Sequence, residues 1–199
     1  MNGRDPSAST SFIRRLRRAR MLILHPEDQD RKVLFDQLRR IGCQTECLWP
    51  PPNKLVENYD VVFFLLSGVN DGHSVAWMAE GSEAAHIAII AYETPDILEE
   101  IGRRHVHGIL SKPLRIFGVL AAITTALGMA KRESRLQQRI RTLDDTLRAR
   151  RQVEQAVRIL SRERGISEEE AYVRIREKSM TSQTPIAEIA EAIVAASGL

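Results

Sequence analysis

The sequence predicts an α/β domain followed by an all-α segment. In the first half, short unbroken apolar runs of strand length alternate with helical stretches, which is typical of a parallel sheet covered on both faces. In the second half, no proline occurs between Pro113 and Pro185, and apolar residues recur at helical spacing. The 199 residues can bury two such cores. No apolar run approaches the roughly 18 residues of a membrane span, so we expect no membrane partner.

Five apolar runs are predicted to form one doubly wound, five-stranded parallel sheet of the flavodoxin-like type, with helical stretches between them. The runs are Met21–Leu24, Cys43–Leu48, Val61–Leu66, Ile87–Ala91 and Gly108–Leu110. Strands without polar interruption suit central positions that are buried on both faces. The first helix is predicted to end at Gly42, after four apolar residues that share one face.

The order of these elements resembles the receiver domain of two-component response regulators, with Lys112 and a proline after the last strand. The resemblance implies an acidic pair after the first strand that holds Mg²⁺, and an aspartate at the end of the third strand that accepts a phosphoryl group. In this sequence those positions fall on His25 and Pro26, and on Leu65 or Leu66. Leucine cannot accept phosphate, and Mg²⁺ requires carboxylate oxygens. We therefore expect a degenerate phosphorylation site in which Lys112 alone remains.

Other reactive groups are sparse. The nearest carboxylates, Glu27–Asp28, stand two residues beyond the expected acidic pair. Cys43 and Cys47 have no third or fourth ligand nearby, so we expect free thiols in a reducing cytoplasm. His105 and His107 likewise lack further ligands, so no metal site is expected. Because no nucleotide-binding or nucleophile pattern is found, we expect no catalytic residues, no cofactor and no enzymatic activity.

Charge divides the chain into blocks. Residues 21–111 hold 7 Lys/Arg against 14 Asp/Glu, residues 112–164 hold 13 against 5, and the last 35 residues hold 3 against 6. The acidic block suits protein contacts, and the basic block can follow phosphates, although a solvated helix face explains it equally well. Residues 1–18 are expected to be a basic, solvated tail, and a loose nucleic-acid-binding arm is the alternative.

One long helix is predicted after Pro113, and it carries a 3-4 spacing over four heptads. The nine positions, eight of them apolar, are Val119, Ala122, Ala126, Met129, Glu133, Leu136, Ile140, Leu143 and Leu147. Such a spacing indicates a coiled-coil seam, which ends before Arg150. A long surface helix with an apolar stripe needs a partner, so we expect a homodimer. Packing of the helix on its own sheet is the alternative.

Signals for a small three-helix bundle follow. Arg164-Gly165 is a helix stop, Ser167–Glu170 is a capping box, and Thr184-Pro185 is a cap followed by proline at the first helical position. Helices this short must pack together, because each is too small to be stable alone. The apolar faces of the last two helices contain Ala171, Ile175, Ile186, Ile189, Ala190 and Ile193.

This layout resembles the ANTAR domain, an RNA-binding antitermination module, from about Arg148 to Ala195. The matching features are Arg150, Gln155-Ala156, Ile159-Leu160, Ala171, Ser179 and Ile189-Ala190. Where the family usually has Lys-Gly, this sequence has Val157-Arg158, which places the positive charge one position later. The resemblance implies that this module binds RNA.

The candidate RNA-binding residues are basic or amide side chains on the first two helices of the module. Arginine and lysine contact phosphates, and glutamine or arginine can read splayed loop bases. Tyr172, the only aromatic residue of the module, is expected to pack in the bundle, so base stacking is expected to be minor. The candidates are Arg150, Arg151, Gln155, Arg158, Arg162, Arg174 and Lys178.

Segments of the first half resemble the AmiR family of antitermination regulators. They are Arg40–Cys43, Trp49–Pro52, Asp60–Phe63, Tyr92–Pro95 and His107–Pro113. The resemblance implies a dimer of a pseudo-receiver (residues 19–127), a coiled-coil stem (residues 115–150) and an ANTAR module (residues 148–199). It also implies that a periplasmic-binding-protein-like sensor of the AmiC type holds the chain inactive. The released chain would bind hairpins of a leader mRNA and so let RNA polymerase pass a terminator.

Two other functions remain open. A DNA-binding response regulator would use the last two helices as a helix-turn-helix, but residues 185–197 carry no Lys or Arg and two Glu, which suits a major-groove reader poorly. A pure interaction protein would bind a sensor with its stem and polymerase with its tail. Absence of nucleic-acid affinity at low salt would favour that last function.

Overall fold

The structure, a computed structural model, describes residues 14, 16–55, 58–67, 78 and 84–197. The chain divides into two compact units, Met1–Ser134 and Arg135–Leu199. Most of the basic N-terminal tail and the predicted helical stretch between the third and fourth strands lie outside the described residues. None of the helices in the described part of the chain combines the length and the apolarity that a membrane crossing requires.

The first unit contains a five-stranded parallel sheet in the order β2-β1-β3-β4-β5. The strands are β1 (Arg20–Leu24), β2 (Gln44–Leu48), β3 (Val61–Leu66), β4 (Ala85–Ile90) and β5 (Gly108–Ser111). Parallel pairing places β1 between β2 and β3, and β4 between β3 and β5. The predicted α/β fold class is confirmed, and the predicted strands are shifted by no more than two residues at either end.

Local signals explain the helices around the sheet. Helix α1 (Gln29–Ile41) begins where the Asp28 carboxylate accepts a hydrogen bond from the Arg31 N–H, and it ends at Gly42, whose φ of 97° favours glycine. Helix α2 (Pro95–Arg103) begins with a proline after the Thr94 cap. Between β2 and β3 the described residues form no helix, in line with the prolines at positions 50–52.

Alternate residues of the strands build one apolar layer on each face of the sheet. On one face, Met21, Phe63 and Ile87 pack with the buried side of α1, and on the other Leu22 and Phe64 pack with α2. Leu16 also lies buried in the first layer. The expectation of a wholly solvated tail over residues 1–18 is therefore wrong at this position, because an apolar side chain next to the sheet is more stable when it is buried.

Helix α3 (Ile116–Arg164) begins on the sheet and includes a non-helical step at Phe117-Gly118. Val119 and Ala126, together with Ile123, are buried in the first apolar layer. The predicted seam is therefore wrong over its first turns, where the alternative of packing on the sheet applies. Leu136, Ile140, Leu143 and Leu147 lie beyond this region and are each 52–58% exposed. The apolar stripe thus changes from intramolecular core to open surface near Ser134.

The second unit is a helical bundle formed by the last turns of α3 with α4 (Glu168–Ser182) and α5 (Ile186–Ala196). Its core consists of buried Ala156, Val157, Ala171, Ile175 and Ala190. Alanine at three of these positions lets the helices approach closely, and larger partly buried side chains surround the core. The second unit therefore has an apolar core of its own.

The helix boundaries of this bundle follow the predicted signals with one exception. The capping box joins Ser167 and Glu170 in both directions, and Gly165 ends α3 with a φ of 63°. The predicted threonine cap of α5 is wrong, because Pro185 occupies the cap position and no side chain caps the helix. The Thr184 hydroxyl instead donates a hydrogen bond to the Ser182 carbonyl oxygen at 3.2 Å.

Candidate functional site

A charged cluster lies at the carboxyl edge of the sheet. Lys112, directly after β5, places its Nζ 2.8 Å from Asp28 Oδ2 and 3.5 Å from Asp30 Oδ2. Asp30 also accepts a hydrogen bond from the Leu114 N–H at 2.6 Å. Burial alone would raise the pKa of Asp28, but the hydrogen bonds from Lys112 and Arg31 lower it by more, so the pKa of Asp28 lies below its ordinary value. The Lys112 ammonium group is thus paired with two carboxylates.

The other residues of the predicted degenerate site are packing groups. His25 is fully buried, and its Nδ1–H donates to the Pro26 carbonyl oxygen at 2.9 Å. Burial lowers the pKa of His25, so the ring is neutral near pH 7. Leu65 and Leu66 end β3 as half-buried and buried apolar side chains. Asp30 was not among the predicted site residues, because it lies far from Lys112 along the chain and is brought to it only by α1.

Replacing Lys112 by methionine is expected to lower the free energy of unfolding of the full chain by about 1 kcal/mol, a value kept small because the ion pair is partly exposed. A carboxyl group with a depressed pKa stabilises the fold above its unfolded pKa, near 3.8 for Asp28, and this contribution is lost as pH falls through the folded pKa. The variant should therefore differ from wild type at neutral pH and converge with it in acid. Urea unfolding at both pH values measures this, with the exposed Lys54→Met as the control. An equal loss at both pH values would contradict the ion-pair account.

A second polar cluster joins α3 to the sheet within the first unit. The Glu133 carboxylate lies 3.1 Å from His105 Nδ1 and 3.0 Å from His107 Nε2. His107 Nδ1 in turn accepts a hydrogen bond from the backbone N–H of His86 at 2.9 Å. Burial lowers the pKa of His86. In the described residues, no group of three or more His, Cys, Asp or Glu side chains is arranged to hold a metal ion.

The predicted RNA-binding residues of α3 are all exposed, and four of them form one stripe. Arg151, Gln155, Arg158 and Arg162 follow a 4-3-4 spacing, so they share one face of the helix. A row of three guanidinium groups with one amide between them can contact successive phosphates and donate to base edges. This stripe is the most cationic arrangement among the candidate residues.

The remaining candidates lie apart from the stripe. Arg150 donates from Nε to Glu154 Oε1 at 2.9 Å, so its charge is partly neutralised. Arg174 and Lys178 lie on α4. Each residue turns the helix by about 100°, so around the helix axis these two side chains lie to one side of the buried Ala171, and Tyr172 lies to the other. The seven predicted residues therefore do not form a single patch.

A groove of about 1010 Å³ opens beside the stripe within the second unit. It is lined by residues of α3, of the first turns of α4 and by Ile186 of α5, and both Arg150 and Arg158 contribute to it. Tyr172 also lines the groove and is 45% exposed. The expectation that Tyr172 packs inside the bundle is wrong, because the neighbouring Ala171 takes the inward position.

Two protein families match this chain, one in its first half and one in its second. Residues 19–127 match the family described as AmiR, N-terminal, and residues 141–194 match the ANTAR domain. The aliphatic amidase regulator of Pseudomonas aeruginosa is 28% identical over 189 residues, which cover 94% of this chain and 96% of that protein. The transcriptional regulatory protein PdtaR of Mycobacterium tuberculosis is 26% identical over 125 residues, which cover 62% of this chain and 61% of that protein.

Among solved structures, the response regulator StyR is similar with a TM-score of 0.50 and 15% identity, covering 87% of this chain and 99% of that chain. This likeness concerns the fold alone and agrees with a receiver-like sheet followed by helices. The family matches carry the assignment, since the first of them spans more than half of the sequence. The chain therefore belongs to the AmiR N-terminal family and carries an ANTAR domain in its second half, the combination of a transcription regulator.

Proposed function

We propose that this chain is a transcription antitermination regulator that binds hairpins of a leader mRNA as a dimer, through its ANTAR domain. The observation that carries the proposal is the ANTAR match over residues 141–194, which includes the exposed stripe of Arg151, Gln155, Arg158 and Arg162. Similarity to the aliphatic amidase regulator over 94% of this chain supports a regulator that contains both parts. RNA polymerase would then be affected indirectly, through the folding of the transcript.

Dimerisation is supported by the open part of the apolar stripe. Leu136, Ile140, Leu143 and Leu147 keep the 3-4 spacing after the helix leaves the sheet, and each is more than half exposed. A second copy with the same seam would cover these four side chains, since identical stripes complement each other in a parallel coiled coil.

We assign residues 19–127 to the pseudo-receiver, residues 115–150 to the stem and residues 148–199 to the ANTAR module, with overlaps where α3 belongs to two parts.

Control by a partner protein, in place of phosphorylation, is supported by the carboxyl edge of the sheet. β3 ends in leucines where an acceptor aspartate is required, and Lys112 is paired with Asp28 and Asp30. A paired lysine and two leucines offer a phosphoryl group neither an acceptor nor a free cation. A sensor of the AmiC type, as the AmiR family resemblance implies, would then act by sequestering the regulator.

The DNA-binding alternative finds little support in the last helix. In α5, Glu188 and Glu191 are the only charged side chains, so a helix placed in the major groove would bring negative charge to the phosphates. The stripe on α3 faces away from the bundle core and does not depend on a helix-turn-helix. The observations therefore favour RNA.

Binding of the purified full chain to a leader hairpin and to duplex DNA of matched sequence tests the proposal. We expect the hairpin to bind at least roughly tenfold more tightly, because unpaired loop bases expose edges that a duplex hides. The affinity should also fall as salt rises, with a slope set by the number of phosphate contacts. Preference for duplex DNA, or no affinity for either ligand at low salt, would exclude RNA antitermination by this chain.

A further inference from the structure

The groove of about 1010 Å³ in the second unit is lined by both apolar and charged side chains. Val153 and Val157 of α3 and Val173 of α4 contribute the apolar part. We propose that this groove receives an unstacked base of a hairpin loop, with Tyr172 as the stacking platform and carboxylates as readers of the base edge. The inference rests on the proposed RNA-binding function and locates a base-recognition site within it.

Tyr172 supplies the only aromatic surface available to such a base. No Phe, Trp or other Tyr occurs after Phe117, so stacking in this module depends on one side chain. Its ring is 45% exposed and lies on the groove wall, whereas the apolar core of the bundle is complete without it. Single-stranded bases stack on exposed aromatic rings in nucleic-acid-binding proteins, since every base has a flat π-face.

The charges around the groove suit a base better than a phosphate. Besides the Arg150–Glu154 ion pair, Glu168 and Glu169 contribute two carboxylates to the lining, against one further guanidinium group, that of Arg158. Carboxylates repel phosphates but accept hydrogen bonds from the exocyclic amino group of a base. Adenine, cytosine and guanine carry such an amino group and uracil does not. The lining therefore predicts discrimination against uracil.

The two arginines of the groove are placed to hold the backbone that flanks the base. Arg150 and Arg158 are eight residues apart on α3, which is about 12 Å along the helix axis. Arg158 also belongs to the stripe with Arg151 and Arg162, so a strand that follows the stripe passes the mouth of the groove. The phosphates would stay at the rim while one base turns inward.

A second copy of the chain is the other occupant that an apolar groove of this size could take. The seam face of α3 becomes polar next to the groove, because Arg150 and Glu154 take the positions that follow Leu147 in the 3-4 spacing. A partner helix that continued over the groove would have to bury this ion pair, which is costly. The observations thus favour RNA over the partner subunit.

The test uses the full-length chain and hairpin RNAs that share one stem and have loops made only of adenine, cytosine or uracil nucleotides. We expect the wild-type chain to bind the adenine and cytosine loops about tenfold more tightly than the uracil loop. The variant Tyr172→Leu should lose about tenfold in affinity for the two preferred loops, while Tyr172→Phe keeps its affinity because it keeps the ring. Glu168→Gln combined with Glu169→Gln should reduce the preference against uracil, since an amide can also donate to uracil oxygens.

The controls separate this site from the general RNA-binding function. Met180→Ala changes an exposed apolar residue of α4 outside the groove lining and should leave all affinities unchanged. Thermal unfolding shows whether Tyr172→Leu is folded, and 2-aminopurine in the loop should be quenched by wild type and Tyr172→Phe but not by Tyr172→Leu.

Three results would overturn the inference. If wild type binds hairpins and Tyr172→Leu binds them equally well, RNA is bound elsewhere and the proposed function stands without this groove. If Tyr172→Leu shifts the monomer–dimer equilibrium while the dimer keeps its RNA affinity, the groove belongs to the partner subunit. If wild type binds no hairpin at low salt, the groove proposal and the proposed function fail together.

Discussion

Replacing Leu143 by glutamate is expected to weaken the proposed dimer by about 100-fold or more. Burial of one leucine contributes roughly 1.5–3 kcal/mol, and a dimer loses two copies, so the loss is roughly 3–6 kcal/mol. The two introduced carboxylates would also face each other across the seam and repel. Leu143 is 55% exposed and belongs to none of the three apolar clusters, so the fold of each chain should survive the change.

Sedimentation velocity over a range of protein concentrations measures this effect. Gln138→Glu is a matched control, because it adds the same charge to the same helix on the face opposite the seam. RNA affinity should decrease with the loss of the dimer if both modules contact one transcript. A Leu143→Glu chain that remains dimeric would show that the open stripe of α3 is not the subunit contact.

Reversing the charge of both Arg150 and Arg158 to glutamate is expected to reduce hairpin affinity by about 100-fold at moderate salt. Each lost phosphate contact removes about one released counterion, and the new carboxylates add repulsion. Arg158 is a member of the exposed stripe, and both residues line the groove, so the variant removes proposed phosphate contacts along the stripe and beside the groove.

The salt dependence of binding distinguishes lost contacts from lost folding. The slope of log affinity against log salt should become shallower by about one to two units in the double variant. A control with Lys32→Glu and Lys54→Glu changes the net charge of the chain equally, at exposed positions of the first unit. Equal losses in the two variants would reduce the role of the stripe to general charge.

Much of the fold was predictable because its signals are local. The end of α1 at Gly42 and the capping box of Ser167 and Glu170 depend on residues at most four apart, which the linear sequence displays directly. Strand identities follow from apolar runs that are buried on both faces. The exposed stripe of Arg151, Gln155, Arg158 and Arg162 follows from helical periodicity in the same way.

Contacts between distant residues were not predictable from such signals. Lys112 meets Asp30 across 82 positions because α1 and β5 converge at one sheet edge, and Glu133 meets His107 because α3 packs on β5. The 3-4 spacing of α3 is identical before and after Ser134, yet Val119 is buried on the sheet and Leu143 is exposed. Periodicity identifies an apolar face but carries no information on what covers it.

The amino-acid sequence alone was sufficient to establish the class of each element, the absence of an acceptor aspartate in β3 and the resemblance to both families, since all three depend on residue type and short spacing. Only the tertiary structure determined which side chains are buried, paired or exposed. Leu16 is buried, Lys112 is paired with two carboxylates, and Tyr172 lines a groove. Burial and ion pairing depend on which surfaces meet, and this is settled only when the elements pack against one another.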